Sequence, residues 1–330
     1  MAQTTVKTRI LIMSDTHTTK LAPEDRDDQP FREPLPEADV LLHCGDLTMV
    51  GHLEEYEQAI DMLGKIDAEL KLVVAGNHDI SLDAEYYSES GKTMHANYHR
   101  PDLAQEALRM WKGPQSLAHR AGIIYLEEGL HTFRLKSGAV FTLYASPYQP
   151  WFCNWAFPYE HDEDRYNPRD ACSSGAKSIV QNPIPDHESQ PIDILMTHGP
   201  PLGRLDKTAH GNVGCPHLLK ALTRSRPRLH CFGHIHEGWG AERVSWKPGT
   251  TFDRQQNRRE GDYMLDVNNV PVDRKTVCDA RCAYVDISDS GLQPLRRGEE
   301  SLLVNASIMD LRYRPSNAPW LVDMELPLQL

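Results

Sequence analysis

Five short segments of this chain end an apolar run on residue types that bind metal ions. They are Ile12-Met13-Ser14-Asp15-Thr16-His17, His43-Cys44-Gly45-Asp46, Ala75-Gly76-Asn77-His78-Asp79, Met196-Thr197-His198-Gly199 and Phe232-Gly233-His234-Ile235-His236. Imidazole suits Zn, Fe, Ni and Cu, and carboxylate suits harder ions such as Mn and Mg, so a mixed His, Asp and Asn set without a Cys ligand fits Mn, Fe or Zn at a hydrolytic site. Asp15 and His17 stand two residues apart, which on extended chain places both on one face. His234 and His236 repeat that spacing, and a turn after the strand would aim them at different ions. Two other routes to hydrolysis lack their signatures: no G-x-S-x-G elbow surrounds a serine, and no G-x-x-x-x-G-K-[ST] loop is present.

Such residues need elements that deliver them to one place. Ile10–Met13, Val40–His43, Leu70–Ala75, Ile192–Thr197 and Leu229–Phe232 read as buried strands, short and rich in Val, Ile and Leu. His52–Ile66 reads as a helix with Leu53, Tyr56, Ile60 and Leu63 on one face, and Gly214–Leu222 as a shorter one. Strands alternating with helices predict an α/β fold, in which ligands bind outside the carboxyl ends of the strands. His131–Leu135 and Ala139–Tyr144 flank Lys136-Ser137-Gly138 as a hairpin, and Ala283–Ile287 is expected to pair with Leu302–Asn305. Pro147–Pro191 and Lys247–Cys282 show no clear period and read as long loops.

Taken in order, the five segments resemble the calcineurin-like metallophosphoesterase superfamily, whose pattern is D-x-H, G-D, G-N-H-[DE], H and G-H-x-H. Thr197-His198-Gly199-Pro200-Pro201-Leu202-Gly203, Gly233 to Gly238, Asn305-Ala306-Ser307 and Tyr313-Arg314-Pro315 are similar to its metallophosphoesterase-domain-containing, class III phosphodiesterase branch. The resemblance implies a four-layer αββα sandwich of two mixed β-sheets flanked by helices, with a dimetal site at the strand ends. It treats residues 1–330 as one domain, with insertions near 147–191 and 247–282 that depart from the branch. It also implies two divalent or mixed-valence ions, Mn, Fe or Zn. Asp15, His17, Asp46 and His236 would hold the first, and Asp46, Asn77, His198 and His234 the second, with Asp46 bridging. His78 would be the general acid, and Asp79 would accept its other ring proton and favour the imidazolium. The implied reaction is hydrolysis of a small phosphodiester, a cyclic nucleotide among the candidates, by a hydroxide that bridges the ions. The alternatives are a phosphomonoesterase acting on a small metabolite and a non-catalytic binding or scaffold protein retaining the fold.

Composition narrows the partners. The 330 residues carry a formal net charge of −12, a field that disfavours long nucleic acid while leaving a small phosphoester substrate open. The seven cysteines form no disulfide framework, and Cys278-x-x-x-Cys282 has no second pair to complete a zinc site. The N-terminal apolar run is too short for a signal core or a membrane span, so a cytoplasmic location is expected. Among the 16 histidines, His52, His95, His99, His119, His131, His161 and His187 read as structural or surface groups. His43 reads either as a support for the ligands or as a core residue. His210 reads as an exposed loop residue, with contact to substrate as the alternative. Trp151, Phe152, Trp155, Phe157 and Tyr159 either stack on a substrate base or pin their loop to the core. The run Arg254–Arg259 reads as a solvated charged loop.

Overall fold

Strand β1 (Thr5–Met13) shows how the layers arise. Ile10 and Ile12 enter one apolar cluster, while Leu11 and Met13 enter another on the opposite face, as the two-residue side-chain period requires. All four are fully buried, so both faces of the strand are covered. The computed structural model describes residues 4–253, 255–256 and 259–328.

Thirteen strands build two sheets. The others are β2 (Ala38–His43), β3 (Ala68–Val73), β4 (Ile123–Tyr125), β5 (Gly129–Arg134), β6 (Val140–Ser146), β7 (Ile194–Thr197), β8 (Leu229–Phe232), β9 (Gly240–Trp246), β10 (Met264–Asn269), β11 (Ala283–Asp286), β12 (Glu300–Asn305) and β13 (Trp320–Pro327). The first sheet runs β11-β13-β1-β2-β3-β4 and the second β10-β9-β12-β8-β7-β6-β5. Both are mixed: β1, β2, β3 and β4 are parallel and β13 runs against β1, while β6, β7, β8 and β12 are parallel and β5 and β9 run against them. Ile10, Val40, Leu72, Phe141, Met196, Cys231 and Val304 join between the sheets. Outside the first sheet pack the helices Leu53–Gly64, Ala84–His95 and Leu103–Trp111, through Tyr56, Tyr87 and Trp111 among others; outside the second packs Pro216–Ser225 through Leu218, Leu219 and Leu222. The result is the expected four-layer αββα arrangement.

The hairpin β5–β6 forms with Phe133 opposite Phe141. The pairing expected between 283–287 and 302–305 does not. β11 lies parallel to β13 in the first sheet, whereas β12 sits between β8 and β9 in the second. An apolar run records that a strand is buried, and the competing partner β13 decided the outcome. The segment 247–282 is also more ordered than expected, holding β10 and a helix at Arg274–Ala280. Arg254 and Arg258 of the charged run lie outside the described residues. Among those described, no helix is long and apolar enough to cross a membrane.

The chain after β12 stitches the sheets together at one rim. Ala306 N donates to Phe232 O (2.9 Å) at the end of β8, and Ala306 O accepts from Ser14 N (2.9 Å) just past β1. The carboxyl ends of β1, β2 and β3 are thereby held against those of β7 and β8.

Candidate metal centre

Each ligand-type residue stands in the loop after its strand. Asp15 and His17 follow β1, Asp46 follows β2, Asn77 and His78 follow β3, His198 follows β7, and His234 and His236 follow β8. Asp15, His17, Asp46 and His234 adopt φ of 52°, 42°, 55° and 67°, a left-handed region unusual for such residues and frequent at functional sites. Close approach requires glycine at two points. A Cβ on Gly76 would lie 2.3 Å from Asp46 Oδ1 and 2.6 Å from His198 Cε1; one on Gly233 would lie 2.1 Å from Asp15 Oδ2.

Three groups form in which the ligand atoms all lie within 4.8 Å of one another: Asp15 with His17 and His236, His17 with Asp46 and His78, and Asp46 with His198 and His234. His236 Nε2 is 3.5 Å from Asp15 Oδ1, His17 Nε2 is 3.7 Å from Asp46 Oδ2, and His198 Nε2 is 3.5 Å from Asp46 Oδ1. These gaps are long for hydrogen bonds. They are near the roughly 3.0–3.4 Å between two atoms that each bind one ion at about 2.1 Å. Asn77 Oδ1 is 2.9 Å from His198 Nε2.

The backbone fixes the rings. His17 Nδ1 lies 2.9 Å from Thr48 O, His198 Nδ1 2.9 Å from Cys44 O, His236 Nδ1 3.2 Å from Asp310 O and His78 Nδ1 2.7 Å from Met49 O. A carbonyl only accepts, so each Nδ1 carries a proton and each ring turns its Nε2 inward, the usual support of a metal-binding histidine. His17 Nε2 is buried with no hydrogen-bond partner. Asp15 and Asp46 are buried, and only histidines approach them as ion-pair partners among the described residues. Buried carboxylates and an inward ring nitrogen without a partner fit cations.

Electrostatics agree. Burial pushes His234 down to about 3 and His17 and His78 below the ordinary imidazole value, which keeps their rings neutral. Burial raises Asp46 to about 8. Burial opposes the charged forms of Asp15 and His236 as well. Their contact prevails, holding Asp15 well below the carboxylate range and lifting His236 to about 9.

The structure revises the role expected of Asp79. Its oxygens accept from Gly76 N (2.8 Å), Leu47 N (3.2 Å), Thr48 N (3.0 Å) and Thr48 Oγ1 (2.8 Å). Asp79 therefore braces the Asp46 and Asn77 loops, and Met49 O orients His78. Its charge favours the His78 imidazolium, but burial outweighs it. His43 supports a neighbour, lying 2.9 Å from Thr16 Oγ1 through Nε2.

Several participants carry no mark in their residue type. The carbonyls of Cys44, Thr48, Met49 and Asp310 act through backbone. Ser307 Oγ donates to Asp15 Oδ2 (2.9 Å). The Tyr313 ring sits 4.9 Å from that of His17 and 5.4 Å from that of His236. Both residues belong to C-terminal segments that stood out only by resemblance. A cavity of about 650 Å³ opens beside Asp46, Asn77, His78, His234 and His236, walled by Trp151, Phe152, Val213, Leu311 and Tyr313. His210 lines it, as does His161, which sequence alone assigns to the surface.

A family model of calcineurin-like phosphoesterases matches residues 8–238. Metallophosphoesterase domain-containing protein 1 of Homo sapiens is 36% identical over 236 residues, 71% of this chain and 62% of that protein, and the Mus musculus protein matches equally. The chain thus spans 62% of the length of these relatives. Probable rhamnogalacturonate lyase C of Emericella nidulans is 35% identical over 240 residues, 72% of this chain and 18% of that protein. The matched span encloses all five segments that meet at the rim, and the chain belongs to the calcineurin-like phosphoesterase family.

Proposed function

We propose that the chain hydrolyses a small phosphodiester in the cavity beside the centre. Asp15, His17, Asp46 and His236 would hold one divalent ion, and Asp46, Asn77, His198 and His234 a second. The observation that carries this reading is Asp46: its Oδ2 faces His17 and its Oδ1 faces His198, so one carboxylate reaches into both groups. Mn, Fe or Zn suits these donors. When bound, such ions polarise phosphoryl oxygens and lower the pKa of water towards roughly 7.

The chain's own groups do the rest. His78 lines the cavity, and with its Nδ1 proton committed to Met49 O the proton it delivers to the leaving oxygen sits on Nε2. Burial favours the neutral ring, so the anionic substrate supplies the field that charges it. The wall of Trp151, Phe152, Val213 and Leu311 displaces water from the ester substituents. No Lys or Arg stands among the described residues lining this cavity, so it offers no fixed cation to a second phosphate. That supports a diester with an apolar or planar substituent, a class that includes cyclic nucleotides, over a doubly charged monoester.

The test compares kcat/KM for an aryl phosphodiester and its monoester on Mn²⁺-loaded protein. The diester should lead by about tenfold or more, a 1.4 kcal/mol difference in transition-state binding, and Asp46→Asn should lose metal and turnover together. Faster turnover of the monoester would reject the diester reading.

A further inference from the structure

Trp155 does not join the wall formed by Trp151 and Phe152. Its ring stacks on His78, centroids 3.9 Å apart and planes 25° from parallel. It is half-buried and packs against the core between the first sheet and its helices. The lining of the cavity includes His78 and not Trp155, so the indole backs the imidazole rather than facing substrate.

Its segment is anchored to the loop that carries His78. Ala156 N donates to Asn77 O (3.2 Å), and Phe157 N donates to Asp83 Oδ2 (2.8 Å), the carboxylate that also caps helix Ala84–His95. Tyr86 Oη donates to Asn154 O (2.6 Å), and Gln149 Nε2 donates to Ala156 O (2.7 Å). Cys153, Asn154 and Phe157 hold left-handed φ of 48°, 56° and 54°, a conformation kept only where surroundings impose it. The segment 153–157, and with it the Trp155 indole, is thus pinned beside the loop that carries His78.

We infer that Trp155 is a positioning residue for His78, an inference that rests on His78 being the proton donor. The Met49 O contact fixes one nitrogen and the His17 ring meets the imidazole edge-on, centroids 4.7 Å apart, which leaves the face opposite the cavity to be held. The indole holds that face, as an offset aromatic pair does, and aims Nε2 at the cavity.

A proton donor matters most when the leaving group is poor, so the test is leaving-group dependence. Removing a well-placed acid typically costs about 10²–10⁴-fold, and misplacing one by about 1 Å costs up to about 10²-fold. Trp155→Ala should lower kcat on an alkyl phosphodiester by about tenfold, with KM within about twofold and a clearly smaller loss on a nitrophenyl diester. Trp155→Phe should recover most of the loss. His78→Ala, measured in parallel, should show the same bias more strongly. In metal-free protein, the His78 ring protons should be shifted upfield by the indole and move downfield in Trp155→Ala. Metal content and circular dichroism establish that each variant is folded and loaded; should Trp155→Ala not fold, Trp155→Phe and the ring-proton shifts decide.

Equal losses on both esters, a loss in KM alone, or His78 signals without the upfield shift would overturn the inference while leaving His78 as the donor. A His78→Ala variant without leaving-group bias would overturn the donor reading and the inference with it.

Discussion

Gly233→Ala tests the packing of the centre without replacing a ligand-type residue. The added Cβ would lie 2.1 Å from Asp15 Oδ2 and 2.1 Å from Ser14 Oγ, where ordinary carbon–oxygen contact is about 3.3 Å. Something must move by roughly 1.2 Å, beyond the tolerance of about 0.2 Å on metal–ligand distances. Asp15 has little room, because His234 N (3.0 Å) and Ser307 Oγ (2.9 Å) hold it. Overpacking costs about 1–3 kcal/mol, which in a chain of this size lowers Tm by roughly 1–4 °C. The ion held by Asp15 should bind at least about tenfold more weakly. Differential scanning calorimetry and metal analysis after dialysis against a weak chelator read both effects. Gly261→Ala, with nothing within 4 Å of its new Cβ, should stay within about 0.5 kcal/mol of the parent. If Gly233→Ala kept the parent's Tm and metal content, the apposition of Gly233 and Asp15 would be wrong.

Other expectations follow from the same contacts. Asp79→Ala strands the amides of Gly76, Leu47 and Thr48 and should cost about 3–5 kcal/mol, with metal lost as well because both braced loops carry ligands; urea unfolding with unchanged stability would exclude the bracing role. Ligation at pH 7 must displace the protons held by His236, at about 9, and Asp46, at about 8, so up to two protons should leave on loading and affinity should rise between pH 6 and 9. Calorimetry in buffers of different ionisation enthalpy that gave identical heats would exclude this. In the metal-free protein, both groups have folded pKa values above their unfolded ones. Asp46 therefore takes stability away as pH rises from about 4 to 8 and His236 from about 6.5 to 9, while the buried neutral rings of His17, His78 and His234 cost stability only below about 6.5, so the chelated protein should melt lower at pH 9 than at pH 7. Chelation itself should lower Tm at pH 7, since an ion at about 1,000 times its Kd contributes about 4 kcal/mol, and an unchanged melt in excess chelator would deny metal a structural part.

The ligand-type residues that meet at the rim were legible because their chemistry is carried by side-chain type at the ends of apolar runs. Strands β2 and β7 were legible for a related reason: both faces are covered, so Val40-Leu41-Leu42 and Ile194-Leu195-Met196 run apolar without a break. Pairing was not. β13 mixes Asp323 and Glu325 with Trp320, Val322 and Met324, and its burial comes from lying against β1. The helix Ala84–His95 escaped because Tyr86 and Tyr87 mark no clear stripe among polar neighbours, whereas Leu103–Trp111 does carry one in Leu103, Ala104, Ala107 and Trp111. Asp79 was misassigned because adjacency to His78 in sequence says nothing about where a carboxylate points. Three amides and a hydroxyl nearby were the stronger competitors for its oxygens.

The features that weaken this rim as a piece of protein are those that suit it to hold cations. Left-handed Asp and His residues, an orphaned imidazole nitrogen and buried carboxylates each cost stability in an empty fold. They lie together, at the junction that residues 305–308 tie with backbone hydrogen bonds. Local rules fail there in concert, while Ile10, Val40, Leu72 and Val304 satisfy them fully a few residues away. Left-handed residues and orphaned polar atoms occur elsewhere too, but here they coincide with buried carboxylates and inward imidazoles at the ends of strands from two sheets, which indicates a site whose groups find their partners in what it binds.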